Sequence, residues 1–251
     1  MRKGGAIELW LIDLDLAAPA LRELQGDLKL LGAGDISRAQ RLKDPLERRR
    51  RLATYTALRA LIEPLAGAHI RGQDFIRAAG GKPRCAGTRL DFSLSHSGGM
   101  ALIGLDTRHT IGVDLEAPRR TKPTERARAG IIAAATGLGR RPLPGEGGED
   151  TFLQAWSRLE AYAKAHGDGL AKTLAALGVR GGDRSMHRTP SPADIETTAR
   201  QRSRSAGLNV HDVKLPEGYT GAVACAGPAP RVRLLPSERR ALQRLLSAAK
   251  A

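Results

Sequence analysis

The chain has 251 residues, long enough to bury a core in one large domain or two small ones without covalent staples. Its two cysteines, Cys85 and Cys225, stand far apart and in no metal-ligand spacing, which excludes a disulfide framework and suits a reducing compartment. A formal charge of +15 attracts anionic partners of every kind, while an aromatic content of 3% leaves few stacking platforms and weighs against a single-strand nucleic-acid binder.

In chain order, a basic start and an apolar run suggest export, but Glu8, Asp13 and Asp15 interrupt the run, and residues 6–14 read as a strand. Asp35 or Ser37 is expected to cap a helix entering at Arg38, and Pro45 suits the first turn of the next. Leu52, Tyr55, Leu58 and Ile62 recur at helical spacing, with Gly67 as a stop. Arg59 lies on that apolar stripe, where it either meets a carboxylate or phosphate or snorkels to water. Arg48 to Arg51 form a cationic patch. Residues 80–83 make a turn, and 90–94 and 100–105 read as strands around a Ser/Gly turn at 95–99. The alternation in 111–116 puts Ile111, Val113 and Leu115 on one face of a strand and Gly112, Asp114 and Glu116 on the other, a face that is wet or metal-bearing. A short helix is expected over 124–136 and a longer one over 151–165, ending at Gly167 or Gly169. Residues 180–206, rich in Arg, Ser, Thr, Gly and Pro, read as a mobile insertion. Strands at 210–213 and 221–226 flank Pro216-Glu217-Gly218, and a basic amphipathic helix over 236–250 carries Leu242, Leu245 and Leu246. With no run of about 18 apolar residues, the expectation is a soluble, cytoplasmic protein with no membrane contact.

Three segments carry chemistry. Asp114 and Glu116, two apart on a strand, project together and offer oxygens to one hard cation, or else are ordinary solvent-facing acids. Glu160 and Lys164, four apart on a helix, have the spacing of a surface ion pair, but Trp156 one turn back marks that face as packed toward protein. His96, between Ser95 and Ser97 and followed by Gly98 and Gly99, offers an imidazole, two hydroxyls and backbone N–H groups to a phosphate, with Lys82-Pro83 upstream.

In this order, the helix from Arg50 to Arg59, Gly81-Lys82-Pro83, Ser-His-Ser-Gly, Gly-Val-Asp-Leu-Glu, Trp156 to Lys164 and the stretch from Gly218 to Ala226 resemble an Sfp-type 4′-phosphopantetheinyl transferase over most of the chain. The resemblance implies an α+β fold of two similar halves related by a pseudo-twofold axis, with coenzyme A and Mg²⁺ in the cleft between them. The halves are expected at 1–108 and 109–230, the second holding the basic insertion near 180–206, with a basic C-terminal helix in 231–251. By resemblance, Asp114, Glu116 and Glu160 are the metal-binding acids, Glu160 also the base and Lys164 the lysine that aids transfer. His96, with Ser95 and Ser97, corresponds to the coenzyme-phosphate contact, Lys82 and Pro83 to part of the nucleotide site, and Arg50 or Arg51 to a 3′-phosphate partner. One departure stands out: Leu159 occupies the position before the helix glutamate where many members have Lys, and Arg158 precedes it.

The implied reaction transfers phosphopantetheine from coenzyme A to a serine of an acidic acyl or peptidyl carrier protein, serving fatty-acid, polyketide or nonribosomal-peptide synthesis. A monomer is expected, with no nucleic-acid partner. The rivals are a basic nucleic-acid-binding module, which gives no reason for the acids at 114, 116 and 160, and a metal-dependent hydrolase using the same acids and His96.

Overall fold

A computed structural model describes residues 7–77, 81–145, 148–179 and 189–248. In chain order the elements are β1 (Glu8–Asp13), α1 (Leu14–Leu28), α2 (Ala33–Gln40), α3 (Pro45–Ala66), β2 (Ile76–Arg77), β3 (Pro83–Arg84), β4 (Asp91–Ser97), β5 (Met100–Asp106) and β6 (Ile111–Glu116). There follow α4 (Glu125–Leu138), α5 (Glu149–His166), α6 (Leu170–Ala176), α7 (Pro192–Ser205), β7 (Asn209–Asp212), β8 (Thr220–Cys225), β9 (Val232–Leu234) and α8 (Arg239–Ala248). The fold is α+β, and the chain divides into two compact units: Met1–Ala78 with Pro83–Arg108 and Arg231–Ala251, and Ala79–Lys82 with His109–Pro230.

The first unit is built on a four-stranded sheet in the order β4-β5-β1-β9, antiparallel except for the parallel β1–β9 pair. Trp10, Ile12, Phe92 and Ile103 from the sheet pack with Leu21 and Leu24 of α1, Leu58 and Ile62 of α3, and Leu242 and Leu246 of α8. Asp13 caps α1 through its side chain, and Asp44 caps α3 ahead of Pro45. Asp35 is no cap: it is fully buried inside α2, whose N-cap is Gly32. Its carboxylate pairs with Arg59 Nη2 at 2.7 Å and Arg38 Nη2 at 2.7 Å, so Arg59 meets the carboxylate its buried stripe requires. Phe75 covers the Arg59 guanidinium at 3.8 Å. The expected turn at 95–99 shrinks to Gly98 and Gly99, because β4 and β5 stay in register to the Ser97↔Met100 pair.

The second unit has an antiparallel three-stranded sheet in the order β6-β8-β7, with α5 lying on it. The face of β6 that bears Gly112 and Asp114 is buried, not wet. A Cβ on Gly112 would stand 2.0 Å from Ala161 O and 2.4 Å from Ala165 N, so the missing side chain is what lets α5 approach the strand. The mobile insertion expected over 180–206 is corrected in part. Residues 180–188 lie outside the described residues, but 192–205 form α7, opened by a Ser191/Asp194 capping box and Pro192. Ile195, Ala199 and Ser203, four apart along one face, are buried, and α4 accepts them closely because Gly137 faces the α7 backbone: a Cβ there would lie 2.2 Å from Glu196 O. A few small residues suffice when the facing helix is itself small-residue-rich.

Candidate active site

α5 follows the charge rule for a helix, with Glu149 and Asp150 in its first turn and Lys164 and His166 in its last, before the left-handed cap Gly167. Trp156, Glu160 and Lys164 therefore share one face, at intervals of four residues. That face meets β6. Lys164 Nζ donates to Asp114 Oδ1 at 2.6 Å and lies 3.4 Å from Glu160 Oε2. The Asp114 side chain is only 3% exposed, so its charge needs the ammonium, whereas Glu160 is 24% exposed and open to a reacting group. Glu116, next outward on the same strand face, is gripped by Arg119, whose Nη2 and Nε donate to its two oxygens at 2.8 and 3.2 Å.

The electrostatics show that the three acids act on one another. Burial first, then the nearby Asp114 charge, pushes the Glu160 carboxyl above its ordinary range; Lys164 opposes the shift and Glu116 adds to it. Burial alone would lower the Lys164 ammonium, but Asp114 and Glu160 outweigh it and hold the group above its usual value. Arg119 is raised by its bond to Glu116, with smaller contributions from Glu160 and Asp114. Among the described residues no group of three or more His, Cys, Asp and Glu side chains is arranged as a ready ligand shell for a metal ion. The positive charges among the acids are the Lys164 ammonium and the Arg119 guanidinium. The donor set is nevertheless of the type a hard cation takes: carboxylate oxygens whose mutual repulsion already disfavours ionisation of Glu160.

In the first unit, Arg50, Ser95, His96 and Ser97 come from adjoining elements. Arg50 Nε and Nη2 donate to Asp15 at 3.0 and 2.6 Å, and Nη1 donates to Glu47 at 3.0 Å. A Cβ on Gly99 would lie 3.1 Å from Asp15 Oδ2 and 3.6 Å from Arg50 Nη2, which places this pair beside the β4–β5 turn. His96 sits on β4 opposite Ala101, half-buried, and follows Phe92 and Leu94 along one face; Ser95 and Ser97 point to the other face. The imidazole and the two hydroxyls thus do not converge from one side, as a loop would have allowed. Arg51 lies over the Tyr55 ring at 5.8 Å. Pro83 pairs with Arg77 in the β2–β3 ladder. Lys82, grouped with the second unit, is buried and donates from Nζ to Ile111 O at the start of β6, 2.9 Å away.

No family model matches the chain. HetI, the 4′-phosphopantetheinyl transferase of Nostoc, is 34% identical over 170 residues, spanning 66% of this chain and 70% of HetI. This chain belongs to the 4′-phosphopantetheinyl transferases. A Synechocystis protein provisionally named for the same activity is 29% identical over 174 residues, 66% of this chain and 67% of its own length. The protein is therefore an enzyme of this type.

Within this transferase, the position before the helix glutamate takes no part in the acid cluster. Leu159 is fully buried in the second core. Arg158 is 1% exposed and donates from Nε and Nη2 to Asp212 at 2.7 and 2.6 Å and from Nη2 to Pro142 O at 3.2 Å, tying α5 to the end of β7. Replacing Arg158 with Ala is expected to destabilise the protein by about 3 kcal/mol, the lower end for breaking a buried pair because Asp212 keeps some water, as a urea titration would measure. Sequence reasoning missed Arg119 and the Arg158–Asp212 tie. The first had a signal, since Arg119 follows Glu116 at a spacing of three; the second joins residues 54 apart and had none.

Proposed function

We propose that this transferase moves 4′-phosphopantetheine from coenzyme A to a serine hydroxyl of an acidic acyl or peptidyl carrier protein, releasing 3′,5′-ADP with the help of Mg²⁺. The observation that carries this reading is the convergence of Asp114, Glu160 and Lys164 between β6 and α5, with Glu116 alongside. In this reading the enzyme works as a cytoplasmic monomer, and its two units are the family's pseudo-twofold halves.

Asp114, Glu116 and Glu160 are the residues that would hold Mg²⁺, and the ion would offset charge on the coenzyme diphosphate. In the reaction the serine oxygen forms a bond to the β-phosphorus, the bond from that phosphorus to the oxygen of the departing 3′,5′-ADP breaks, and the serine proton passes to Glu160. Burial and Asp114 raise this carboxyl while the ion is absent, and a bound cation would oppose that shift, leaving Glu160 ionised and able to take the proton. Lys164, kept protonated by its two acids, sets a positive charge beside the transferring group. His96, Ser95, Ser97, Lys82, Pro83 and Arg50 are assigned to the coenzyme's nucleotide end, with Arg51 as the neighbouring candidate for its 3′-phosphate.

The test is the intact mass of an apo carrier incubated with the enzyme, coenzyme A and Mg²⁺: a gain of one phosphopantetheinyl group with release of 3′,5′-ADP supports the reading, and an unchanged mass across a panel of carriers rejects it. Two further outcomes are expected. His96→Ala should raise the coenzyme dissociation constant by about tenfold or more, the worth of one charge-assisted hydrogen bond, in a calorimetric titration. Because the enzyme carries a formal charge of +15, the KM for an acidic carrier should rise with ionic strength as the Debye length falls below about 10 Å.

A further inference from the structure

The β6–β8 ladder places Thr220 directly opposite Glu116, in a row that continues with Ala222 opposite Asp114 and Ala224 opposite Gly112. Residues paired across antiparallel strands point to the same face, and this face is the one that meets α5 through Gly112 and Asp114. Here β8 contributes two alanines, which leave room for the acids of β6, and one polar side chain, Thr220, at the Glu116 end. The Thr220 Oγ1 is buried and has no hydrogen-bond partner. A buried hydroxyl without a partner costs about 1–3 kcal/mol, and the acceptor that the register sets beside it is the Glu116 carboxylate. That carboxylate is turned to Arg119, a half-exposed side chain, yet an ionised carboxylate has about four acceptor sites and can take a second donor.

We propose that Thr220 is a positioning residue for Glu116: when a divalent cation draws the Glu116 carboxylate toward Asp114 and Glu160, the unpartnered Thr220 hydroxyl donates to it and holds it in the acid cluster. The inference rests on the reading of that cluster as the cation site. A hydroxyl behind a ligating carboxylate restricts its rotation and raises its affinity for the ion, and losing such a partner commonly weakens metal binding by about 10–100-fold. Thr220 is the residue of β8 that can do this, because Ala222 and Ala224 carry no donor.

Calorimetric titration of Mg²⁺ into the 251-residue protein, with separate titration of 3′,5′-ADP, tests the assignment on wild type, Thr220→Val and Thr220→Ser. The expected result is a Mg²⁺ dissociation constant about 10-fold or more higher in Thr220→Val, near wild type in Thr220→Ser, and an unchanged affinity for 3′,5′-ADP in both. If Thr220→Val does not fold, Thr220→Ala, which removes the hydroxyl and leaves no new methyl at its place, carries the same comparison. Equal Mg²⁺ affinity in wild type and the hydroxyl-free variant overturns the assignment, as does a loss confined to 3′,5′-ADP, which would make Thr220 a nucleotide contact. A wild-type protein that binds no cation defeats the metal reading itself and is thereby told apart from a failure of Thr220 alone.

Discussion

Glu160→Gln is expected to slow phosphopantetheinyl transfer by about a thousandfold or more, since under the proposed mechanism it removes both a general base, worth about 10²–10⁴, and a carboxylate that would hold the cation. Coenzyme binding should persist in part, because the residues assigned to the nucleotide end lie elsewhere in the chain. The same substitution should raise the melting temperature of the unliganded protein rather than lower it. Burial and the Asp114 charge disfavour an ionised Glu160, and a neutral amide of the same shape escapes both. The pH dependence follows in sign. A carboxyl raised on folding keeps its proton in the native state at pH values where the unfolded chain has lost it. It therefore makes stability fall as pH climbs from the ordinary glutamate value through the raised one. Glu160→Gln should flatten that fall, which thermal melts between pH 4 and pH 8 would record. A variant as active as wild type would remove Glu160 from the chemistry.

Gly112→Ala should be the most damaging small substitution in the second unit. The new methyl would sit 2.0 Å from Ala161 O and 2.4 Å from Ala165 N, both backbone atoms of a long helix that cannot yield as a flexible side chain would. α5 must then move away from β6, at a cost at or beyond the upper end of about 1–3 kcal/mol for an overpacked site. The displacement also pulls Lys164 off Asp114, so transfer should fall together with stability even though no charged group has been altered. A urea titration alongside the transfer assay checks both. A Gly112→Ala protein with wild-type stability would mean that the strand and helix are not in this close contact.

The legible parts of the fold and the site were those with a local period. Alternation in 111–116 put Asp114 and Glu116 on one face of β6, and the four-residue interval set Glu160 and Lys164 on one face of α5, because strand and helix geometry fix these directions within a few residues. Pro45, Gly67 and Gly167 bounded helices for similarly local reasons. Illegible were relations formed between distant segments. Asp35 looks like a cap until Arg59, 24 residues on, is seen to take its carboxylate. The Lys164–Asp114 bond spans 50 residues, and nothing near either residue announces it. The composition of 180–206, with few large apolar residues, predicts a mobile insertion; what makes 192–205 a helix is the glycine and alanine surface of α4 that receives Ile195 and Ala199. The Ser and Gly neighbours of His96 predict a turn there, whereas the pairing of β4 with β5 carries the strand through it. α1, α6, the β2–β3 pair and β9 have no clear local signal, and β9 in particular pairs with β1, more than 200 residues earlier.

If the acids gathered on β6 and α5 are the transfer centre and work with a divalent cation, the rate at which an apo carrier gains phosphopantetheine from coenzyme A must depend on both. That rate is followed most directly by intact mass for wild type and Asp114→Asn, with Mg²⁺ and after its removal by chelation. Fast modification by wild type with Mg²⁺ is predicted, with almost none after chelation and almost none by Asp114→Asn in either condition. Modification that proceeds equally well without the cation, or equally well in Asp114→Asn, would contradict that dependence.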